Sequence, residues 1–185
     1  MGVQGWEELL DGLVTNGTQI SNTVTETIVC PDFNVPAYYM APGRVLRITA
    51  YGLVSNVVTT PGTLAFWVRW GGVSGAILCA SNAIAMDTTA RTSYPWMLQA
   101  LVTCRTAGTG GTMNSFGWVM TPDTLSSTAA NLLSNMMTSA VSPGANADVT
   151  TDTTIAKLLS VTAKFSVSTS PTNLTCQQRI IEVLN

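Results

Sequence analysis

Long stretches of this chain alternate apolar and polar residues with a period of two, the pattern of strands that bury one face. The apolar positions of the first such stretch are Leu46, Ile48, Ala50 and Val54. The same alternation recurs in residues 63–70, 92–106 and 158–169. Segments rich in Gly and Pro separate these stretches, so the pattern predicts an all-β chain whose strands are joined by turns.

About eight strands are predicted in total. They cover residues 25–33, 44–54, 63–70, 76–84, 92–106, 113–120, 158–169 and 173–184. Two packed antiparallel sheets are the natural arrangement for such a set, so we expect an antiparallel β-sandwich with jelly-roll topology. An immunoglobulin-like sandwich is the alternative, but that domain usually has about 100 residues and a Cys–Trp–Cys pattern that is not found here.

Residues 26–185 are expected to form a single domain, preceded by an N-terminal arm over residues 1–25. The sequence of residues 6–10 predicts one or two helical turns in this arm. Four apolar residues give the arm a surface to bury but no core of its own, and they are Trp6, Leu9, Leu10 and Leu13. We therefore expect the arm to dock on another surface, with an edge strand or a disordered leader as the alternatives.

A long connection is predicted over about residues 121–150, which are rich in Thr, Ser, Asn and Ala and have no period of two. One helical turn is predicted around residues 129–137. Long connections in a compact domain are usually functional or packed against a partner. Met136 and Met137 are therefore candidate contact residues.

Groups for catalysis are scarce. The chain has no histidine, and only 8 Lys+Arg and 10 Asp+Glu occur in 185 residues. Histidine is the most common general acid or base near neutral pH, and the acidic residues lie mostly in turns or near the termini. The sequence therefore predicts neither an enzyme nor a catalytic residue, and it offers no motif for a cofactor or a metal ion.

Charge and hydropathy exclude two further classes of partner. The net charge is −2, and no cluster of Lys and Arg could neutralise a phosphate backbone, which argues against nucleic acid. No apolar run approaches the length of a transmembrane helix, so we expect no membrane contact. The first residues include Glu7, Glu8 and Asp11 and no basic segment, so no secretory signal is predicted.

The four cysteines are far apart in the sequence and form no CxxC pair. They are Cys30, Cys79, Cys104 and Cys176. In a protein made without a secretory signal, we expect them to be buried free thiols. One or two disulfides are the alternative if the protein acts outside the cell.

Low charge favours a protein that assembles with copies of itself. Charged residues make up 10% of the chain, whereas a quarter is typical of soluble domains. Trp67 and Trp70 have odd spacing on one predicted strand, so one of them faces outward, and Trp67 beside Arg69 is a candidate interface anchor. Trp67 or Trp118 could instead stack on a sugar, which favours a carbohydrate-binding module as the alternative function.

Four segments resemble structural proteins of tailed-phage virions. The sequence YMAPGRVLRITAYG at residues 39–52 is similar to a strand of that family that reads roughly K/R-V-L-R-I-x-A-x-G. GTLAFWVRWGG at residues 62–72 is similar to the family's T-L-x-x-x-L-R-x-G-G strand. The Thr-rich strand at residues 158–168 and the final aliphatic run IIEVL at residues 180–184 also resemble the family's C-terminal half.

The resemblance implies a jelly-roll capsid decoration (cement) protein, often a homotrimer bound to the major capsid protein on the virion surface. It also implies synthesis in the host cytoplasm and no catalytic residues. The arm with Trp6 and the connection at residues 121–150 have no counterpart in the family pattern. They are therefore candidates for contacts specific to this chain. A receptor-binding head or tail fibre tip is the alternative function.

Overall fold

The computed structural model describes residues 7–57, 59–122, 133–139 and 146–184. All regular secondary structure in these ranges is β-strand. The strands are β1 Glu7–Gly12, β2 Ile20–Ser21, β3 Thr27–Ile28, β4 Phe33–Val35, β5 Val45–Asn56, β6 Thr63–Trp70, β7 Ala76–Ser81, β8 Ile84–Ala85, β9 Arg91–Thr106, β10 Gly111–Thr121, β11 Leu133–Thr138, β12 Val149–Thr151, β13 Lys157–Phe165 and β14 Asn173–Leu184.

These strands form one large antiparallel sheet. Its order is β1-β14-β5-β9-β10-β11-β7-β6-β13-β3, and the short strands β2, β4, β8 and β12 pair with β14, β13, β6 and β10. The longest strands, β5, β9, β10 and β14, are consecutive neighbours in this order. The predicted all-β class is therefore confirmed.

Period-two alternation accounts for the faces of the long strands. In β6, every second side chain is buried, starting at Leu64 and continuing through Phe66, Val68 and Trp70. The predicted inward face of β5 is also buried. The outward Trp67 is half-buried and the inward Trp70 is buried, as their odd spacing predicts.

The sheet curves around its core. The rings of Phe66 on β6 and Trp96 on β9 lie 5.0 Å apart between centroids, although the two strands are four places apart in the sheet order. Gly52 permits this packing, because a Cβ there would lie 2.7 Å from the indole nitrogen of Trp96 and even closer to the Thr175 carbonyl. Any side chain at position 52 would therefore displace the largest ring in the core.

Two local predictions are wrong. Residues 7–10 form part of β1 and not helical turns, and β1 pairs with β14 as an edge strand, which was one of the alternatives. Likewise, Leu133–Thr138 forms β11 where a helical turn was predicted, because its backbone pairs with β10. Trp6 and residues 129–132 lie outside the described residues. The predicted number of strands is too low for two reasons. The two- and three-residue strands show no period, and β1 and β11, with six residues each, lie in segments predicted to form helical turns.

The prediction of four free thiols is wrong for two cysteines. Cys30 and Cys176 form a disulfide, with a Cα–Cα distance of 5.5 Å and a sequence separation of 146. Cys79 and Cys104 are free and buried, as predicted. Burial raises the pKa of the Cys79 thiol to about 12, so this side chain is neutral at physiological pH.

Candidate interaction surface

A row of outward side chains crosses four neighbouring strands. Thr49 on β5 lies opposite Gln99 on β9, Gln99 lies opposite Trp118 on β10, and Trp118 lies opposite Met136 on β11. Residues directly opposite each other in antiparallel strands project to the same face of the sheet. The register therefore places Trp118 and Met136 side by side on the surface.

Two parallel rows extend this surface. On one side, Tyr51 lies opposite Met97, and Met97 lies opposite Met120. On the other side, Leu101 lies opposite Phe116. We call this set the outer apolar face, and it comprises Tyr51, Met97, Gln99, Leu101, Phe116, Trp118, Met120 and Met136.

The outer apolar face is accessible to solvent. Met136 is 57% exposed and Phe116 is 46% exposed, and Tyr51 is also exposed. The other members are half-buried, because neighbouring side chains cover one side of each. Large exposed apolar patches on soluble proteins often mark contacts with a partner.

A depression lies at one end of this face. It has a volume of about 340 Å³, and its walls include Tyr51, Leu53, Pro95, Met97 and Met120. Most of this lining is apolar, so the depression has the shape and chemistry to receive one apolar side chain from a partner.

Charges beside the face are paired within the chain. Arg47 Nε donates to Glu182 Oε2 at 2.7 Å, and the same guanidinium also contacts Glu7. Arg47 lies opposite Leu101, and Glu182 lies opposite Leu9 on β1. The row of facing residues that contains Phe116 therefore continues from Leu101 through Arg47 and Glu182 to Leu9 on β1. Leu9 is 63% exposed.

The candidate residues from the sequence are distributed over several parts of the fold. Leu9 and Met136 lie on the same face of the sheet, on β1 and β11, which are five places apart in the sheet order. Met137 is fully buried in the core, and Leu10 and Leu13 are partly buried against it. Among these five described residues, Leu9 and Met136 are the exposed ones.

Trp67 and Arg69 lie on β6, away from the outer apolar face. Arg69 donates to both carboxylate oxygens of Glu26, at 2.5 and 2.7 Å, and to the Gly75 carbonyl at 2.8 Å. The Arg69 side chain is mostly buried in this ion pair. Arg69 is therefore paired within the chain, and the half-buried Trp67 beside it stays a candidate interface anchor.

The sequence does not predict that Tyr51, Leu101 and the apolar neighbours of Met136 lie together on one surface. It does place Phe116 and Trp118 on one side of their strand, but alternation leaves undetermined which side faces the core. The missing information is the register between β9, β10 and β11, which depends on contacts across the whole sheet.

Comparisons of this chain with protein-family models, curated proteins and solved structures returned no match. Across the described ranges, three or more His, Cys, Asp or Glu side chains never cluster in a way that could hold a metal ion. The same ranges contain no helix of the length and hydropathy needed to cross a membrane.

Proposed function

We propose that this chain is a structural protein of a virus particle, and most specifically a capsid decoration protein. It binds the major capsid protein on the outer capsid and stabilises the shell as a homotrimer. The observation that supports this role is the outer apolar face, an exposed apolar surface of the kind that binding partners cover. The low charge of the chain and its resemblance to tailed-phage virion proteins favour the same role.

We also propose that the curved antiparallel sheet forms a β-sandwich with jelly-roll topology. The contact between Phe66 and Trp96 supports it, because the two strands are far apart in the sheet order and yet share one core. In this arrangement, one side of β5, β9 and β10 packs on the core and the other is free for a partner.

The protein acts by binding, without catalysis, cofactor or nucleic acid. It is made in the host cytoplasm and resides on the capsid surface. An aromatic side chain has about 200 Å² of surface, and burial contributes about 25 cal/mol per Å². Covering the 46% exposed Phe116 would therefore contribute about 2 kcal/mol per copy before the costs of association.

Light scattering at micromolar concentration tests this proposal. A mass near three times 19.5 kDa is expected for the wild type, and Phe116→Asp should shift it toward the monomer. Ile155→Asp is the matched control, because Ile155 is 48% exposed in a loop away from the outer apolar face. Co-sedimentation with capsids then measures lattice binding. A Phe116→Asp variant that still trimerises and still binds capsids would contradict the proposal.

A carbohydrate- or receptor-binding module, such as a fibre tip, is the second candidate function. The half-buried Trp118 beside Gln99 favours it, because an indole next to an amide can contact the face and the hydroxyls of a sugar. Glycan-array binding that is lost in Trp118→Ala, together with a monomeric wild type, would favour this function over the decoration protein.

A further inference from the structure

The disulfide between Cys30 and Cys176 joins the two ends of the sheet. Cys176 lies on β14, which pairs with the edge strand β1 at one end of the sheet order. Cys30 lies between β3 and β4, and both of these strands pair with β13 at the other end. In the described part of the chain, no strand pairing connects these two ends. We call their junction the seam, and the disulfide is its covalent bond.

Two further contacts cross the seam. Arg179 on β14 donates to the carbonyl of Pro31, the residue after Cys30. The backbone nitrogen of Gly17 donates to the Cys176 carbonyl at 2.8 Å. Gly17 also lies so close to Val29 that a Cβ at position 17 would clash with the Val29 carbonyl oxygen. The segments that pair with β14 and with β13 therefore meet around the disulfide.

The segment that passes across the seam has few anchors of its own. We call residues 13–30 the crossing segment, and its two strands, β2 and β3, have two residues each. Ile20 and Val29 are buried in the core, whereas Val14 is 96% exposed and Val24 is 45% exposed. Short pairings and few buried apolar contacts are typical of segments that open locally before a fold unfolds as a whole.

A cavity beside the disulfide separates two parts of the crossing segment. Its volume is about 460 Å³, and Thr18 lines it together with residues 27–32. Atoms that line such a space lack van der Waals contacts on that side. Packing therefore contributes little to holding these two parts against each other, and the disulfide contributes correspondingly more.

We propose that the Cys30–Cys176 disulfide is a redox latch for the crossing segment. When the bond opens, residues 13–30 open locally while the long strands β5, β9 and β10 stay folded. The bond closes by exchange with a low-molecular-weight disulfide such as oxidised glutathione. One cysteine thiolate attacks this disulfide and displaces a thiolate, and the second cysteine thiolate attacks the mixed disulfide and displaces the other. The two protons of the cysteine thiols pass to the two released thiols.

The two free cysteines are unsuited to this exchange. Burial raises the pKa of the Cys79 thiol to about 12, and burial also raises the pKa of the Cys104 thiol. The thiolate is the nucleophile in thiol–disulfide exchange, so neither side chain competes with Cys30 and Cys176 while β7 and β9 stay folded.

The compartment sets the state of the latch. Glutathione and thioredoxin keep thiols reduced in the cytoplasm. With synthesis in the host cytoplasm, the latch is therefore open when the chain is made and closes once the particle is outside the cell. This timing rests on the proposed function, whereas the latch itself does not.

Hydrogen–deuterium exchange of the full chain, measured by mass spectrometry in glutathione buffers of increasing oxidised fraction, tests the latch. Alkylation of free thiols in the same samples measures the fraction of open disulfide. Opening should speed amide exchange in residues 13–30 by at least about thirtyfold, the lower end of the effect of losing a native disulfide. Peptides from β9 and β10 should stay protected at the same labelling times, and exchange in residues 13–30 should follow the open fraction.

Two variants serve as controls. Cys30→Ala/Cys176→Ala should show fast exchange in residues 13–30 even with oxidised glutathione. Cys79→Ala also loses a buried cysteine, but its crossing segment should stay protected when the protein is oxidised. Equal protection of residues 13–30 in the oxidised and the reduced wild type would overturn the proposal. Equally fast exchange in β9 and β10 would also overturn it, because the bond would then support the whole fold. Neither readout involves trimer mass or capsid binding, so the latch and the proposed function can fail separately.

Discussion

Opening the Cys30–Cys176 disulfide should destabilise the fold strongly. The bond joins residues that are 146 positions apart and attaches the segment before β4 to β14. Beside the bond, the backbone nitrogen of Gly17 donates to the Cys176 carbonyl at 2.8 Å. Both cysteines are buried, so opening the bond also disturbs the packing around them.

The length of the closed loop sets the magnitude. A cross-link lowers the entropy of the unfolded chain, and for a loop of this length the loss corresponds to about 5 kcal/mol at 25 °C. Measured losses on removing native disulfides are typically about 2–5 kcal/mol. We therefore expect the reduced protein to lose about 2–5 kcal/mol of unfolding free energy. The lower part of this range applies if the unfolded chain keeps residual structure.

Guanidinium denaturation with and without a thiol reductant measures this loss, and thiol titration shows that the bond has opened. The double variant Cys30→Ala/Cys176→Ala should have a low midpoint in both conditions. Cys79→Ala is the control for a buried cysteine outside the bond, and reductant should shift its midpoint as much as that of the wild type. An equal midpoint for the oxidised and the fully reduced wild type would refute the reasoning.

Asp11→Ala should cost about 1–3 kcal/mol in urea denaturation, because Arg179 is buried and loses the carboxylate that pairs with it. The cost is lower than for a fully buried ion pair because Asp11 is partly exposed. An Asp11→Ala variant as stable as the wild type would contradict this prediction. The Cys79 thiol should resist iodoacetamide at pH 8 in the folded protein and react after unfolding, as mass spectrometry of the alkylated peptide can measure. Folding raises the pKa of the Cys79 thiol from 9.0 to about 12. The contribution of the buried neutral thiol to the free energy of unfolding is therefore fully present below pH 9 and is lost as the pH rises toward 12.

The long strands could be predicted because each has enough residues to show a period of two. The bounds of β6 and β14 match the predicted ranges, since polar or Gly-containing turns flank both strands. By contrast, β2 has two residues and β12 has three, and no alternation can be read from so short a segment. Their backbones become strands only through pairing with β14 and β10.

The outer apolar face was less predictable than the strands. Alternation separates Leu98 from Gln99 and Phe116 from Gly117, but it does not assign either set to the core. Gly117 gives one clue, because a Cβ there would lie 2.4 Å from the Gln99 carbonyl and would push β9 and β10 apart. A small residue between two large outward neighbours in the sequence, Phe116 and Trp118, is weak information on its own. The register of the folded sheet provides the rest.

The N-terminal segment is held against β14 by strand pairing, an ion pair and a disulfide. The sequence predicts an arm that docks on another surface, with an edge strand as one alternative. β1 is such an edge strand, since it pairs with β14, and it adds Leu9 to the row of outward residues that includes Phe116. The pair of Asp11 with Arg179 holds this segment on β14, and the Cys30 disulfide holds its far end there. The extent of the apolar row therefore depends on the same contacts that stabilise the fold. A partner that covers the whole row would require the N-terminal segment to be held in the sheet.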